Sequence, residues 1–193
     1  MRRDRRMESI LDAGAEVLAE RGIHGCTMRY VAERAHASPA NLYRYVQGKE
    51  ELLYLIIQRV LERAIRSAEA ALAVRGAKEQ LKSFVTDHIR RVLAFPAEAR
   101  LLHETTDALP DHMRRRLEER RAGYLELVGD IVEGAVRTKG ARRPTFDKLA
   151  QLLLGMADRV ALDGARQEPR PRPDRLARPV LALFHQGARA SRS

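Results

Sequence analysis

The chain has 193 residues, which is enough for one large domain or two small ones, and its basic residues outnumber its acidic ones to give a net charge of +10. This excess favours a polyanionic partner, nucleic acid or an anionic membrane, although an arginine-rich proteome would produce the same total. The one cysteine, Cys26, excludes an intramolecular disulfide and a thiolate metal cluster, and no apolar run is long enough to span a bilayer. We therefore expect a cytoplasmic protein.

Apolar residues recur at helical spacing along the chain, whereas the alternation typical of strands is almost absent. A first helix is predicted to end at Gly22, and a second to begin after the capping residue Thr27. Ser38 followed by Pro39 is typical of an N-cap and first helical position, so a short third helix begins there. A long fourth helix is predicted to begin at Glu50.

The rest of the chain favours longer helices that are separated by prolines and a glycine-containing turn. They are predicted over residues 77–95, 98–109, 111–138, 145–165 and 172–188. The predicted fold is therefore all-α, with about nine helices, of which the first three are close together.

The stretch ASPANLYRYVQGKEEL, residues 37–52, has the features of a DNA-reading helix. The second and third helices with a short turn between them form a helix-turn-helix, whose second helix enters the major groove with its N-terminus first. Ala40 keeps the leading edge narrow enough for close approach. Asn41 can pair with adenine through two hydrogen bonds, and Arg44 can reach a guanine or a phosphate.

Four further residues are predicted to bind the phosphates that flank the bases. Tyr43 and Tyr45 offer hydroxyl donors, and Lys49 is positioned to act with the first amides of the fourth helix. Thr27 can bind a phosphate in the same way from the second helix. The alternative for the tyrosines is ordinary half-buried packing, and for Lys49 simple exposure to solvent.

The segment TMRYVAERAHASPANLYRYVQGKEELL resembles the DNA-binding domain of the TetR family of transcriptional regulators. The resemblance covers about the first fifty residues closely. It implies that Arg29 joins the DNA contacts named above, and that His36, where the family's turn has a glycine, takes a positive φ. The matching positions are Gly22, Thr27, Val31, Ala32, Ala35, Ser38, Leu42, Tyr43, Tyr45, Lys49 and Leu52.

The resemblance also implies a division of the chain into two domains. Residues 1–49 would be the DNA-binding domain, and residues 50–193 would bind a ligand and form a homodimer through the last two helices. Both helices have more than one apolar face, although they could instead complete the core of the monomer. A two-fold dimer implies a palindromic operator. The expected interface residues are Leu149, Leu152, Leu153, Met156, Val160, Val180, Leu181 and Phe184.

Two segments, ARLLHETTDALPDHMRRRLEERRAGYLELVGDIVEGAV at residues 99–136 and RPTFDKLAQLLLGMADRV at residues 143–160, resemble the branch of the family that responds to acyl-CoA or other CoA thioesters. On that basis we expect a repressor that such an effector releases from DNA, with an unrelated hydrophobic compound or drug as the alternative. The expected pocket residues are Phe84, His88, Leu102, His103, Thr106, Tyr124, Leu125 and Met156. Arg90, Arg91, Arg120 and Arg121 would meet the CoA phosphates, unless they are ordinary solvated residues.

Other functions have weaker support in the sequence. His103 and Asp107 share a helix face near His88 and Glu104, but no third ligand follows at helical spacing, so we predict neither a metal nor a cofactor. No catalytic motif appears, so an enzyme is not expected, whereas a nonspecific DNA-binding protein remains an alternative. Cys26 precedes a helix and could sense oxidants, although a packing role is favoured.

Overall fold

The structure is a computed structural model. It describes the backbone of residues 2–104, 108–136 and 143–190, and the side chains of residues 3–101, 108–136 and 145–187. These residues form nine α-helices and no strand, which confirms the predicted all-α fold. In chain order the helices are α1 (Arg2–Gly25), α2 (Met28–Arg34), α3 (Pro39–Leu42), α4 (Lys49–Leu72), α5 (Ala77–Ala94), α6 (Pro96–Glu104), α7 (Asp111–Val136), α8 (Arg143–Gly164) and α9 (Pro173–Ala190).

Local side-chain and backbone chemistry fixes the ends of the first helices. The Thr27 hydroxyl oxygen accepts a hydrogen bond from the amide of Tyr30 at 3.3 Å, and the Ser38 hydroxyl oxygen accepts one from the amide of Asn41 at 3.2 Å. Both predicted N-caps are therefore confirmed. Gly22 has a φ of 66°, which interrupts the regular helix within α1 at the predicted point.

Pro96 and Pro179 each lie within the bounds of a helix. Pro96 was expected to separate α5 from α6, but it is the first residue of α6. Proline is tolerated there because the amides of a helix's first turn have no hydrogen-bond partner within the helix. Pro179 lies within α9, which continues past it to Ala190. No helix among the described residues is both long and apolar enough to cross a bilayer.

Backbone contacts divide the chain into two compact units. The first unit comprises Met1–Leu61 and Ala97–Glu119, and the second comprises Glu62–Pro96 and Arg120–Ser193. Helices α4 and α7 therefore contribute residues to both units. The functional boundary that the sequence placed between residues 49 and 50 stays a prediction.

The first unit has an apolar core that contains a buried cluster of charges. Its apolar members come from every helix of the unit, and the largest are Ile10, Leu18, Leu42, Leu52, Leu53, Ile56, Leu61 and Leu101. Arg59 of α4 is only 6% exposed and Glu98 of α6 only 5%, and the two form an ion pair. Arg59 also contacts Glu8 at 2.8 Å and Asp12 at 2.9 Å, so one guanidinium holds α1, α4 and α6 together.

In the second unit, α5 packs against α8 and α9, and α8 packs against α9. Phe84, Val85 and Ile89 provide the buried face of α5, and the buried residues of α8 include several alanines that permit close helix approach. This arrangement places the middle of α5 at the centre of the unit, where the candidate effector residues lie.

Candidate DNA-binding and effector sites

The turn between α2 and α3 has the backbone geometry that the sequence predicts. His36 has a φ of 49°, so the expected positive φ is confirmed. The guanidinium of Arg6 donates to the His36 carbonyl oxygen at 3.1 Å, and the Ala37 amide donates to the Ala32 carbonyl oxygen at 2.8 Å. These bonds fix the direction in which α3 leaves the turn.

Helix α3 has one buried side and one polar side. Leu42, on the helix, and Val46, just after it, are buried in the core of the first unit. Ala40 and Arg44 are exposed, Asn41 is partly exposed, and the large ring of Tyr43 is 54% exposed. An exposed aromatic residue among polar neighbours is costly to leave in water, and it suits contact with a polar partner.

The other predicted phosphate ligands have intramolecular contacts of different strength. Tyr45 is partly buried against the core, and Arg29 is exposed and paired with Glu33 at 3.0 Å. Lys49 is the first residue of α4, and its ammonium donates to the Ile23 carbonyl oxygen at 3.2 Å. Lys49 therefore links α1 to α4, a structural role that the sequence did not indicate.

Two arginines that the sequence analysis missed lie beside the reading helix. Arg3 and Arg6, at the start of α1, line an open depression of about 620 Å³ together with Asn41, Arg44 and Tyr45. The run RRDRR at residues 2–6 marks these arginines in the sequence. Because the run is more than thirty residues from α3 along the chain, the sequence did not show that the two lie side by side. The depression therefore has three arginines on its wall, which makes it attractive to phosphates.

Cys26 is buried in the core of the first unit. Burial raises the pKa of its thiol, as does Glu50, and the opposing effect of Lys49 is smaller than that of burial. The thiol is therefore protonated at neutral pH, and a protonated, enclosed thiol reacts slowly with oxidants. This favours the packing role of Cys26 over the sensor role.

In the second unit, three of the expected pocket residues lie together. Phe84 and His88 of α5 and Tyr124 of α7 are buried, and the Phe84 ring centroid is 6.0 Å from that of His88 and 6.5 Å from that of Tyr124. Leu125 and Met156 are partly buried. Three further members of the predicted pocket, Leu102, His103 and Thr106, lie outside the residues whose side chains the structure describes.

His88 takes part in a hydrogen-bonded chain that includes an acidic residue absent from the predicted site. Its Nε2 lies 2.7 Å from a carboxylate oxygen of Asp158 on α8, and its Nδ1 lies 3.4 Å from a guanidinium nitrogen of Arg91. Arginine can only donate, so Nδ1 accepts and Nε2 carries the proton that is donated to Asp158. Both ring nitrogens of a neutral His88 are therefore occupied.

The arginines expected to bind CoA phosphates mostly have partners within the second unit. Arg90 contacts Asp87 at 2.5 Å, Arg91 contacts the same carboxylate at 3.4 Å, and Arg120 contacts Glu62 at 3.2 Å. Burial opposes ionisation of Asp87, but the Ser67 hydroxyl and the two neighbouring arginines together hold its pKa below the ordinary value. The fourth, Arg121, is exposed.

The remaining predicted sites concern metals and the dimer. In the part of the chain that the structure describes, no group of three acidic, histidine or cysteine residues could hold a metal ion; His103 and Asp107 lie outside that part.

The predicted dimer residues divide into a buried set and a surface set. Leu152 of α8 is 63% exposed and Leu183 of α9, which the sequence analysis did not select, is 61% exposed. Leu153, Val180 and Phe184 are buried within the unit. Partly exposed members of the predicted set are Leu149, Met156, Val160 and Leu181. The surface available to a second copy therefore centres on the two exposed leucines.

A helix-turn-helix with an exposed polar reading helix, followed by a second all-helical unit, defines a class of DNA-binding regulators. Residues 10–54 match the family model of bacterial regulatory proteins of the tetR family, and residues 74–162 match that of the tetracyclin repressor-like C-terminal domain. The HTH-type transcriptional repressor KstR of Mycolicibacterium smegmatis is 33% identical over 147 residues, which cover 74% of this chain and 67% of that protein. The chain belongs to the TetR family of transcriptional regulators, and is a regulator rather than an enzyme.

Two further likenesses involve Bacillus subtilis. Its fatty acid metabolism regulator protein is 23% identical over 185 residues, which cover 92% of this chain and 93% of the relative. The crystal structure of the transcriptional regulator FadR from the same organism, in complex with stearoyl-CoA, superposes with a TM-score of 0.72 at 22% identity, covering 93% of this chain and 98% of that chain. At this identity the structural likeness shows the fold alone.

Proposed function

We propose that the protein is a one-component repressor that acts in the cytoplasm, binds a palindromic operator as a homodimer and is released by a CoA thioester. The observation that carries the DNA-binding part is the polar side of α3. There the half-exposed Tyr43 ring stands between Asn41 and Arg44, and the nearby depression has further arginines on its wall. A helix that served only to complete the core would not need these polar side chains on its exposed side.

Each residue of this surface has a proposed role on DNA. Asn41 pairs with adenine and Arg44 with guanine, while Ala40 allows the backbone to approach the base pairs. Five residues bind phosphates and set the orientation of α3 without reading sequence, namely Thr27, Arg29, Tyr43, Tyr45 and Lys49. The Thr27 oxygen already accepts a hydrogen bond from the Tyr30 amide, but its hydroxyl hydrogen remains available to a phosphate.

The homodimer is proposed because one four-residue helix reads too few base pairs for specificity, and because Leu152 and Leu183 are exposed on α8 and α9. A two-fold dimer places its reading helices on half-sites about one helical turn, or a multiple of it, apart. We expect the double substitution Leu152→Glu and Leu183→Glu to give a monomer in sedimentation velocity and to abolish operator binding.

The matched control for this experiment is Gln151→Glu with Gln186→Glu, which adds the same charges at exposed positions of the same helices. This control should remain dimeric. A wild-type protein that sediments as a monomer at micromolar concentration would contradict the proposed assembly.

The effector is proposed from the buried aromatic and polar residues of the second unit, together with the relatives. Phe84, His88 and Tyr124 are buried next to one another and combine apolar rings with a few polar atoms, as the linings of small-molecule sites do. The named relatives include a fatty acid metabolism regulator and, by fold, a protein solved with stearoyl-CoA. An unrelated hydrophobic compound would suit the same residues and is the second candidate.

Binding of the effector must favour a form of the protein with low operator affinity. A preference of about 1–3 kcal/mol for that form lowers operator affinity roughly 5- to 150-fold, since coupling between the two sites is reciprocal. Helix α4 is the candidate for transmitting the change, because it begins at Lys49 in the first unit and continues to Leu72 in the second.

The proposal is tested in two stages with the full chain. Selection from a random DNA library should yield an inverted repeat that binds about a thousandfold or more tighter than random DNA. Titration of that complex with acyl-CoAs of several chain lengths should then release the protein at micromolar concentration. If no inverted repeat emerges, the chain is a nonspecific binder; if one emerges but no acyl-CoA releases it, only the effector class is wrong.

A further inference from the structure

The second unit contains a buried polar group that makes no hydrogen bond with the described residues. Helices α5, α7 and α8 together supply what we call the polar cluster: His88, Arg91, Tyr124 and Asp158. Tyr124 is 4% exposed, and its hydroxyl has no hydrogen-bond partner among the described residues. Buried polar groups in proteins are nearly always hydrogen-bonded, so this hydroxyl requires an acceptor.

Tyr124 is the member of the cluster that is free to bind something else. Both nitrogens of His88 are occupied, by Asp158 and by Arg91. Burial raises the pKa of Tyr124 well above its ordinary value, with the positive charge of Arg91 acting against it and the negative charge of Asp158 acting with it. The phenol is therefore neutral, and its hydrogen is available to donate.

The charges around the cluster indicate what kind of acceptor fits. Asp87 pairs with both Arg90 and Arg91, and Asp158 lies beside His88. The neutral Tyr124 hydroxyl is matched by an uncharged acceptor, which adds no further charge to this buried site. A neutral carbonyl oxygen needs only a donor, and Tyr124 offers one.

We propose that the Tyr124 hydroxyl binds the neutral carbonyl oxygen of the effector, so that the protein prefers a thioester to the thioether that lacks this oxygen. This inference rests on the proposed function, since it names the part of a CoA thioester that the second unit reads. It places Arg91 at the carbonyl rather than at the phosphates of CoA, because Arg91 faces His88 and Asp87. Phe84, which lies beside both rings, provides the adjoining apolar surface.

The experiment compares ligands that differ only at the carbonyl. Octanoyl-CoA and palmitoyl-CoA are each measured by calorimetry beside the thioether in which a methylene replaces the carbonyl. The proteins are the wild type, Tyr124→Phe and the control Tyr54→Phe, a partly buried tyrosine of the first unit. Wild type and control should prefer the thioester to the thioether by about 5- to 10-fold, and Tyr124→Phe should have lost that preference.

Two results would overturn the inference. Equal weakening of thioester and thioether by Tyr124→Phe would mean that the hydroxyl only supports the fold. Absence of binding by every compound would remove the thioester altogether, and operator binding of the same preparation then shows whether the regulator function stands without it.

A second measurement needs no ligand. Because the Tyr124 hydroxyl has no hydrogen-bond partner in the part of the chain that the structure describes, Tyr124→Phe should leave the Tm of the free protein within about 3 °C of the wild type, or raise it. A larger fall would show that the hydroxyl bonds to the protein or to an ordered water, and would also overturn the inference.

Discussion

The two units hold their candidate functional residues in opposite ways. In the first unit Tyr43, just after α3, is 54% exposed, whereas in the second unit Tyr124 is 4% exposed between helices. DNA is a large partner that must be met at the surface, while a small ligand gains its affinity by enclosure. Stability and function should therefore be separable by substitution in the first unit, and coupled in the second wherever the substituted side chain also bonds within the unit, as His88 does.

The largest expected effect is structural and lies in the first unit, at the buried charges. Arg59→Met leaves the Glu98 carboxylate in the core without the guanidinium, and should lower the free energy of unfolding by about 3–5 kcal/mol in urea denaturation. Arg29→Met, at an exposed ion pair, is the control and should change it by less than about 1 kcal/mol. Equal midpoints for the two variants would refute a stabilising role for the cluster.

In the second unit, His88→Leu should reduce stability and effector binding together. The substitution removes one hydrogen-bond donor from the partly buried Asp158 carboxylate, which is expected to cost about 1.5–3 kcal/mol of folding free energy. Denaturation and acyl-CoA titration of the same samples provide the measurement, with the exposed His112→Leu as control. A variant of unchanged stability that had lost effector binding would break the proposed coupling.

Asn41→Ala tests whether function is separable in the first unit. It should lower affinity for the selected operator by about 1–3 kcal/mol and relax base choice at one position, with Tm unchanged, because Asn41 lies at the surface. Lys49→Ala should instead weaken binding to all sequences alike, and should also reduce stability slightly through loss of the bond to Ile23. If both variants weakened every duplex equally, the base-reading role of Asn41 would be wrong.

A smaller effect is expected from the arginines at the start of α1. Arg3→Ala with Arg6→Ala should reduce the slope of log affinity against log salt by about 4 in the proposed dimer, since it removes two arginines from each protomer and each phosphate contact contributes about 0.9. The control is Arg175→Ala with Arg178→Ala, which removes the same charge from exposed positions of α9. Identical slopes for the two pairs would mean that only net charge matters.

The smallest effect concerns the turn. His36→Gly should raise the free energy of unfolding by about 0.5–1 kcal/mol, because glycine adopts the φ of 49° without strain. His36→Ala keeps the strain and should not be stabilised. Thermal unfolding of the two variants measures the difference, and equal Tm values would show that the backbone at this position is unstrained.

The sequence predicted what depends on neighbours along the chain. The all-α fold and the caps at Thr27 and Ser38 were accessible because each follows from residues within a few positions, whereas the positive φ of His36 was implied by the family resemblance. The sequence likewise predicted that the polar residues on and just after α3 lie at the surface, although their contacts with DNA stay predictions.

What the sequence did not predict depends on distant segments. His88 and Asp158 are 70 residues apart, and Arg59 and Glu98 are 39 apart, so neither pair leaves a periodic signal. The apolar residues of α8 illustrate a second limit. Leu152 and Leu153 are adjacent and chemically identical, yet one is exposed and the other is buried, and only the packing of α5 and α9 distinguishes them.

The buried Arg59 cluster has a consequence for how the protein is made. The first unit takes Glu98, Leu101, Leu109 and Leu117 from a segment that begins at Ala97, well after the helix-turn-helix. A ribosome must therefore synthesise more than half of the chain before the DNA-reading head has all of its core. Until then the carboxylates of Glu8 and Asp12 on α1 can pair with Arg59, but its partner Glu98 has not yet been synthesised. The DNA-reading head is therefore completed only after α6 has joined it.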